Sequence, residues 1–305
     1  MKLKIDFEVS SSKKKITYNS KCIFLGSCFS DDISRKKEEV GFDVLSNPFG
    51  TLFHPLAILN LFEEIDIEET CFQRDDIWFS WLTSGTIFDM SKDALTDKIN
   101  SLFTYFYVYL KEADFLFLTF GTSIGYRLES NNLLVANCHK MNSSLFVKEL
   151  TLSDQMSLQW EKCIQKIQKI NPNIEVVFTV SPVRHIKEGI VLNNISKSQL
   201  FSLIHNLNGN YFPSFEIVND ELRDYRFFKD DLVHPNQSAI DYVWEKFKAT
   251  YMDNQTNLLI DEVFKVKQML HHKTLYPNSI ESKKFQEKIN FKKSEILKKL
   301  PNMKW

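Results

Sequence analysis

Two short stretches carry side chains whose types and spacing suit nucleophilic catalysis. The first is Gly26-Ser27-Cys28, which places a hydroxyl beside a thiol. The second is Asp231-Leu232-Val233-His234, in which a carboxylate precedes an imidazole by three positions. That spacing, about one helical turn, lets the carboxylate reach Nδ1–H of the imidazole and leaves Nε2 facing a nucleophile. A nucleophile, a base and an orienting carboxylate are therefore all present in the chain.

The turn that holds Ser27 and Cys28 is predicted to join a buried strand to a helix. The run at 22–25 is apolar, it breaks at Gly26, and the pattern after it is polar and amphipathic. Ligands bind beyond the carboxyl ends of strands in open α/β sheets, and a helix N-terminus favours a thiolate. A merely buried cysteine is the alternative, and the turn alone favours it.

The rest of the chain predicts strands that alternate with helices, the pattern of a parallel sheet with helices on both faces. The predicted strands cover residues 22–26, 42–45, 115–120, 174–180 and 215–218. The predicted helices cover residues 30–40, 52–62, 93–111, 153–170 and 196–207, with another after Pro235. A strand or hairpin is predicted at 77–82, and hairpin and loop at 124–148.

Polar groups follow the five strands of the predicted sheet. In strand order they are Ser27 and Cys28, Asn47 and Gly50, Thr122 and Ser123, Arg184 and His185, and Asp231 and His234. Because the carboxyl ends of parallel strands share one sheet edge, we expect these groups to converge. Arg184 is expected to bind an anionic group of the substrate, whereas Arg223 and Arg226 are expected to join an internal ion network.

Residues 1–255 are predicted to form one domain, and residues 256–305 a helical extension packed on it. The extension is Lys-rich near its end and has one apolar face, which is typical of a docked helix with a solvated side. A basic binding arm is the less favoured alternative.

Composition excludes several classes of protein. The formal net charge of −1 gives no reason to expect nucleic acid or an anionic membrane as a partner. No apolar run is long enough for a spanning helix, and the N-terminus lacks the apolar core of a signal peptide. Five cysteines without a CxxC pair indicate a reducing compartment, so a cytoplasmic location is expected. Asn137-Cys138-His139 is not expected to bind a metal, because adjacent residues rarely ligate one ion.

Five motifs together resemble one family. GSCFS at 26–30, NPFG at 47–50, ANCHK at 136–140, SPVRH at 181–185 and DELRDYRFF at 220–228 are similar to the GSCFA-domain family over about residues 22–250. That family is mostly bacterial and is grouped with the SGNH/GDSL hydrolases. The resemblance implies a flavodoxin-like three-layer α/β/α core around a central parallel five-stranded sheet.

The resemblance also implies roles for single residues. The wider group has Gly-Asp-Ser in its first block, which aligns Cys28 with the nucleophile, and an Asp-x-x-His block, which Asp231 and His234 match. Its second block contributes a glycine N–H to the oxyanion hole, where Gly50 matches, together with the N–H of Cys28.

The third block of that group, Gly-x-Asn-Asp, is only partly matched. This chain has Gly121-Thr122-Ser123-Ile124, so the asparagine is absent. Either Ser123 or Asn137 is expected to supply the missing side-chain donor of the oxyanion hole.

The function expected from these residues is hydrolysis or transfer of an ester or acyl group, with a carbohydrate as one candidate carrier. Cys28 would form the acyl-enzyme. Substrate contacts are expected from Ser27, Asn47, His139, Arg184 and His185. Hydrolysis needs no cofactor, whereas a transferase needs an acyl donor such as acetyl-CoA. The alternative, favoured by the missing asparagine, is a non-catalytic module that binds a carbohydrate or a partner.

Overall fold

A central sheet of five parallel strands organises the chain, and helices pack on both of its faces. The structure is a computed structural model that describes residues 5, 7–271, 276, 279–301, 303 and 305. The predicted fold class, a three-layer α/β arrangement with a helical C-terminal region, is confirmed.

The described residues include ten strands and ten α-helices. The strands are β1 (Cys22–Gly26), β2 (Val44–Ser46), β3 (Cys71–Arg74), β4 (Ile77–Ser80), β5 (Phe88–Asp89), β6 (Phe115–Phe120), β7 (Ile124–Leu128), β8 (Phe146–Leu150), β9 (Glu175–Val180) and β10 (Asn210–Tyr211). The α-helices are α1 (Cys28–Glu39), α2 (Pro55–Leu59), α3 (Ile67–Thr70), α4 (Lys92–Glu112), α5 (Ser153–Ile170), α6 (Ile190–Asn206), α7 (Ser214–Glu216), α8 (Gln237–Tyr251), α9 (Asn254–His271) and α10 (Ile280–Lys299).

The strand order in the main sheet is β10-β9-β6-β1-β2, and every neighbouring pair is parallel. All six residues of β6 are buried, as expected of a central strand with both faces covered. Two antiparallel additions, the β3-β4-β5 sheet and the β7-β8 hairpin, are inserted before and after β6. Because the five strands of the main sheet are parallel, their carboxyl ends lie along one edge of it.

Alternate residues of β1 pack into two hydrophobic cores, one on each face of the sheet. Ile23 packs in the core on the α5 side, which contains Trp160. Phe24 packs in the opposite core, which contains Phe247 of α8, and its ring stacks on Phe117 with centroids 4.6 Å apart. This two-residue period is what a strand buried on both faces requires.

The predicted fifth strand at 215–218 is wrong. The edge strand is β10, and the chain after Pro213 turns into α7 and one turn of π-helix at Ile217–Leu222. The side chains of Ile217 and Val218, which belong to this helical turn, are fully buried. A short apolar run can lie in a buried strand or a buried helix, and periodicity alone does not distinguish the two.

The C-terminal region is helical as predicted. Val263 of α9 and Ile296 of α10 join the same hydrophobic core as Phe24. The division of the chain at residue 255 stays a prediction. Parts of the predicted extension, residues 272–275, 277, 278, 302 and 304, lie outside the described residues.

Gly26 is expected to tolerate no side chain. Its φ is +134°, and a Cβ there would lie 2.1 Å from the carbonyl oxygen of Thr119 in β6. Gly26→Ala should therefore lower the free energy of unfolding by about 3 kcal/mol or more, since two paired strands would have to separate. Urea denaturation measures this. Gly85→Ala is the control, because its nearest atom is 3.8 Å away. Equal midpoints for the two variants would contradict the prediction.

Candidate active site

Cys28 is the first residue of α1, directly beyond the carboxyl end of β1. Its side chain is half-buried. Burial raises the pKa of the Cys28 thiol, and the carboxylates of Asp32 and Asp31 raise this pKa further. The backbone N–H of Cys28 and the charge of Lys229 lower this pKa, but the net shift is still upward. This net upward shift of the pKa is therefore opposite to the one expected from the helix N-terminus.

Ser27 is not placed to react or to contact substrate. Its side chain is 0% exposed, and among the described residues its Oγ has no hydrogen-bond partner. Its N–H donates to the Thr119 carbonyl oxygen at 3.1 Å, which ties the turn to β6. Of the two adjacent nucleophiles, only Cys28 has exposed surface, and the predicted substrate contact of Ser27 is wrong.

Asp231 and His234 form the contact that their spacing predicts. Oδ2 of Asp231 lies 2.7 Å from Nδ1 of His234, and Oδ1 accepts the backbone N–H groups of Val233 and His234. Three groups lower the pKa of Asp231 to about 2. The backbone N–H of His234 has the largest effect, followed by that of Val233 and by the imidazole of His234. The stretch is a loop turn and not a helix, since Leu232 has a φ of +57°. An ionised carboxylate thus orients the imidazole through Nδ1.

Arg184 holds this loop in place. Its guanidinium lies 4.2 Å from the centroid of the Phe228 ring and 5.1 Å from that of Tyr225. Its backbone N–H donates to the Val233 carbonyl oxygen at 3.3 Å, and its side chain donates to the Leu232 carbonyl oxygen at 3.4 Å. Arg184 therefore positions this loop, and its predicted contact with an anionic substrate group stays a prediction.

Cys28 and His234 share charged neighbours at the sheet edge. The charge of Lys229 lowers the pKa of both Cys28 and Asp32, and the charge of His234 also lowers that of Asp32. The backbone N–H of Lys229 donates to the carbonyl oxygen of His234 at 2.7 Å. No hydrogen bond joins the Cys28 sulfur to the imidazole within the described part of the chain. Catalytic contacts are often open before substrate binds, so a close contact between the two side chains stays a prediction.

Two predicted oxyanion donors are already engaged. The N–H of Gly50 donates to the Asn47 carbonyl oxygen at 2.7 Å, which closes a tight turn. The Ser123 hydroxyl is fully buried and donates to the Ser196 carbonyl oxygen at 3.2 Å. Both assignments are corrected. The N–H of Cys28 and the amide of Asn137 remain as predicted donors.

Asn47 supports the turn that holds Cys28. Its Oδ1 accepts the N–H of Gly26 at 2.8 Å, and its Nδ2 donates to Oδ1 of Asp31 at 2.8 Å. Because the amide links the end of β1 to the first turn of α1, it fixes the backbone that presents Cys28. The predicted substrate contact is therefore corrected to a positioning role.

His139 belongs to an aromatic cluster and not to the cleft. It is 3% exposed, its Nε2 lies 3.0 Å from the Ser80 carbonyl oxygen, and it packs against Trp81 with ring centroids 5.9 Å apart. Burial lowers its pKa to about 4, so it is neutral at pH 7. The predicted substrate contact of His139 is wrong. Across the described residues, no group of three or more side chains has the geometry of a metal site.

His185 lines a pocket of about 250 Å³ beside the same sheet edge. Phe53, Thr122, Asn137 and Cys138 also line it. The imidazole packs edge-on against Phe53, with ring centroids 5.4 Å apart, and its buried Nε2 has no partner among the described residues. Burial, followed by the charge of Lys197, lowers the pKa of His185 to about 3. The predicted contact of this neutral imidazole with substrate stays a prediction.

Lys197 is a buried lysine at the same sheet edge that the sequence analysis missed. It is 2% exposed, and its Nζ donates to the carbonyl oxygens of Gly121 and Ser181, each at 2.7 Å. Burial lowers the pKa of Lys197 to about 7, and the charge of Cys28 raises this pKa by a smaller amount. A signal was present, since Lys197 shares the apolar face of α6 with Leu200 and Ile204 at helical spacing.

Residues 21–247 match the model of the GSCFA family. No curated protein matches the chain. No helix within the described ranges is long and apolar enough to cross a membrane.

Three solved structures resemble the chain at low identity. A carbohydrate esterase family 3 protein from Talaromyces cellulolyticus is 8% identical, with 79% of this chain and 99% of that chain covered and a TM-score of 0.34. An acetyl xylan esterase from the rumen bacterium Butyrivibrio proteoclasticus is 10% identical, with coverages of 76% and 63% and a TM-score of 0.39. The periplasmic domain of a lipopolysaccharide acetyltransferase from Salmonella ser. Paratyphi A is 10% identical, with coverages of 77% and 83% and a TM-score of 0.37.

Proposed function

The chain belongs to the GSCFA family, and on that premise we propose that it cleaves or transfers an ester-linked acyl group through an acyl-enzyme on Cys28. The observation that carries the proposal is the 2.7 Å contact between Asp231 and Nδ1 of His234, on the sheet edge that also presents Cys28. An oriented imidazole and a half-buried thiol on one sheet edge are the groups that a nucleophile with its base requires.

In the proposed mechanism, His234 removes the proton of the Cys28 thiol through Nε2. This step matters because burial and the neighbouring aspartates keep the thiol protonated at neutral pH. The thiolate attacks the acyl carbon, and the N–H of Cys28 stabilises the oxyanion. The imidazolium then protonates the departing alcohol, which leaves a thioester on Cys28. Water or an acceptor hydroxyl, deprotonated by His234, releases the acyl group.

The proposed substrate is a small-molecule or carbohydrate ester. Hydrolysis by this route needs no cofactor, since the protein supplies the nucleophile and the base. Transfer needs an activated donor such as acetyl-CoA and an acceptor hydroxyl. The 250 Å³ pocket beside His185 has room for a small acyl group or part of a sugar.

A non-catalytic carbohydrate- or partner-binding module is the second candidate. It is favoured by the raised pKa of Cys28 and by the engaged hydrogen-bond groups of Gly50 and Ser123. Against it stands the oriented Asp231–His234 pair, because a binding module has no need of an ionised carboxylate that fixes an imidazole.

The test is acylation by p-nitrophenyl acetate, followed by intact-protein mass spectrometry. We expect a mass increase of one acetyl group, lost on treatment with hydroxylamine, with the thioester mapped to the peptide of Cys28. A hydrolase turns over without an acceptor, whereas a transferase accumulates the adduct until a sugar hydroxyl is added. If neither short-chain esters nor acetyl-CoA acylate Cys28 in folded protein, the catalytic proposal fails and the binding module is favoured.

A further inference from the structure

The pocket of about 250 Å³ beside the candidate site has a mainly apolar wall. Its apolar side chains come from Phe53, Ile124, Tyr126, Val135 and Ala136. Two imidazoles also line it, and burial lowers the pKa of His54 to about 4 and that of His185 to about 3, so both are neutral at pH 7. Such a wall suits an uncharged alkyl group.

Polar side chains of the same pocket are engaged within the protein. The Thr122 hydroxyl lies 2.9 Å from Oγ of Ser196, and Oδ1 of Asn137 accepts the backbone N–H of His139 at 2.6 Å. The carboxylate of Glu188, at the pocket mouth, forms an ion pair with Lys148 of β8. A sugar needs several hydrogen-bond partners, whereas an alkyl chain needs none, so this lining favours the chain.

Backbone hydrogen bonds connect the pocket wall to the turn that presents Cys28. The Phe53 carbonyl oxygen accepts the N–H of Gly121 at 2.8 Å, at the end of β6. The preceding residue, Leu52, donates its N–H to the Gly26 carbonyl oxygen at 2.9 Å, at the end of β1. Gly26 is two residues before Cys28, and β1 and β6 are neighbours in the sheet. The pocket and the proposed nucleophile therefore adjoin the same two strand ends.

The volume of the pocket exceeds what an acetyl group fills. At about 30 Å³ for each water molecule, the pocket has the volume of about eight waters. An acetyl methyl group would leave most of that volume to water against apolar walls. Each further methylene that displaces this water tightens binding about fourfold.

Exposed apolar side chains continue from the pocket mouth onto α6. These side chains, here called the α6 patch, are Ile186, Ile190, Val191, Leu192 and Ile195. Ile186 lies between His185 and Lys187, which both line the pocket, and Val191 in the first turn of α6 is 74% exposed. Exposed apolar side chains that adjoin a pocket extend its binding surface.

We propose that the pocket and the α6 patch bind the alkyl chain of the acyl group, so that the ester used by this site carries a medium-length, uncharged acyl chain rather than acetyl. The acyl carbonyl lies at Cys28, and the chain runs past Phe53 into the pocket. After the alcohol leaves with the proton from His234, the chain stays in the pocket as the thioester. The inference rests on the proposed function and names its acyl class.

The test is protection of Cys138 against iodoacetamide by acetamide, butanamide, hexanamide and octanamide, read by peptide mass mapping. Cys138 lines the pocket and is half-buried, so a bound chain covers it. We expect the concentration for half-protection to fall about fourfold for each methylene added, until the pocket is full. Labelling of Cys71, which lies elsewhere, should be unchanged. Protection that does not depend on chain length would overturn the proposal.

Labelling of Cys28 in the same digests locates the carbonyl end of the chain. Cys28 and Cys138 should be protected at the same octanamide concentration, because one molecule covers both. Protection of Cys138 alone would overturn the proposal, since the chain would then bind apart from the nucleophile. Neither readout uses an ester, so both protections can occur while Cys28 acylation fails, and that outcome would reject only the proposed function.

Ala136→Phe fills the pocket from its wall. In this variant octanamide should protect Cys28 no better than acetamide does. Ala94→Phe is the matched control, because it adds the same ring at an exposed position in the first turn of α4, and it should keep the wild-type dependence on chain length. Wild-type dependence in folded Ala136→Phe protein would contradict the proposal.

Val191→Asp tests the α6 patch at an exposed position that folding does not require to be apolar. The octanamide concentration for half-protection should rise at least fourfold, the contribution of one methylene, while that of acetamide stays the same. Leu258→Asp is the control, since Leu258 is 66% exposed on α9. Unchanged octanamide protection in Val191→Asp would overturn the proposal. If light scattering then showed that the variant had lost a dimer, the patch would belong to a second copy of the chain instead.

Discussion

Cys28→Ala is expected to abolish acylation by p-nitrophenyl acetate. The cleft offers no substitute nucleophile from the neighbouring Ser27, whose hydroxyl is fully buried. Cys28→Ser should keep at most weak activity, because a hydroxyl holds its proton more tightly than a thiol and needs more help from the base. The burst of p-nitrophenolate and the intact mass both measure the loss.

Cys71→Ala is the matched control for that experiment. Cys71 is also a half-buried cysteine, but it begins β3, and its thiol donates to the Ile67 carbonyl oxygen at 3.3 Å. We expect this variant to be acylated at the wild-type rate. A hydroxylamine-sensitive adduct that persists in Cys28→Ala would show that another residue is the nucleophile.

His234→Ala is expected to slow acylation by about 10²–10⁴-fold, the usual contribution of a positioned general base. Asp231→Asn should cause a loss of similar size, because an amide NH₂ facing Nδ1 favours the wrong imidazole tautomer. The pKa of Asp231 is about 2, so this carboxylate stays ionised above that pH. Any fall of the wild-type rate between pH 8 and pH 4 is therefore not due to protonation of Asp231. Values of kcat/KM across pH measure both effects.

The control for the base is His205→Ala, which removes an exposed imidazole from α6. It should leave the acylation rate unchanged. Wild-type kinetics in His234→Ala would mean that the 2.7 Å pair only stabilises the loop, and the role of base would then have to pass to another group.

The central strands were predictable from the sequence because they are buried on both faces. β1 and β6 lie where continuous apolar runs predict them, and β9 begins one residue later than predicted. The edge strand was not predictable. β10 has only two residues, and the apolar run after it forms a buried helical turn, because packing against the sheet decides between the two conformations.

For a related reason, several residues assigned to the site have partners elsewhere in the fold. Four residues have side chains or backbone groups that suit binding or catalysis, but each forms a different contact in the fold. They are Gly50, Ser123, His139 and Arg184. Gly50 closes a turn, Ser123 meets Ser196, His139 joins the aromatic cluster, and Arg184 holds the histidine loop. Sequence spacing cannot reveal such partners, because many of them are distant along the chain.

The sequence by itself determined the local features of the site: a cysteine directly after a buried strand, and an aspartate three residues before a histidine. Both follow from short-range geometry, so the turn and the 2.7 Å contact appear as expected. Only the tertiary structure decided the electrostatics. Burial and the nearby carboxylates raise the pKa of Cys28, and α6 brings the buried charge of Lys197 to the same edge. Charge interactions depend on depth and on distance in space, and neither is encoded in the spacing of residues along the chain.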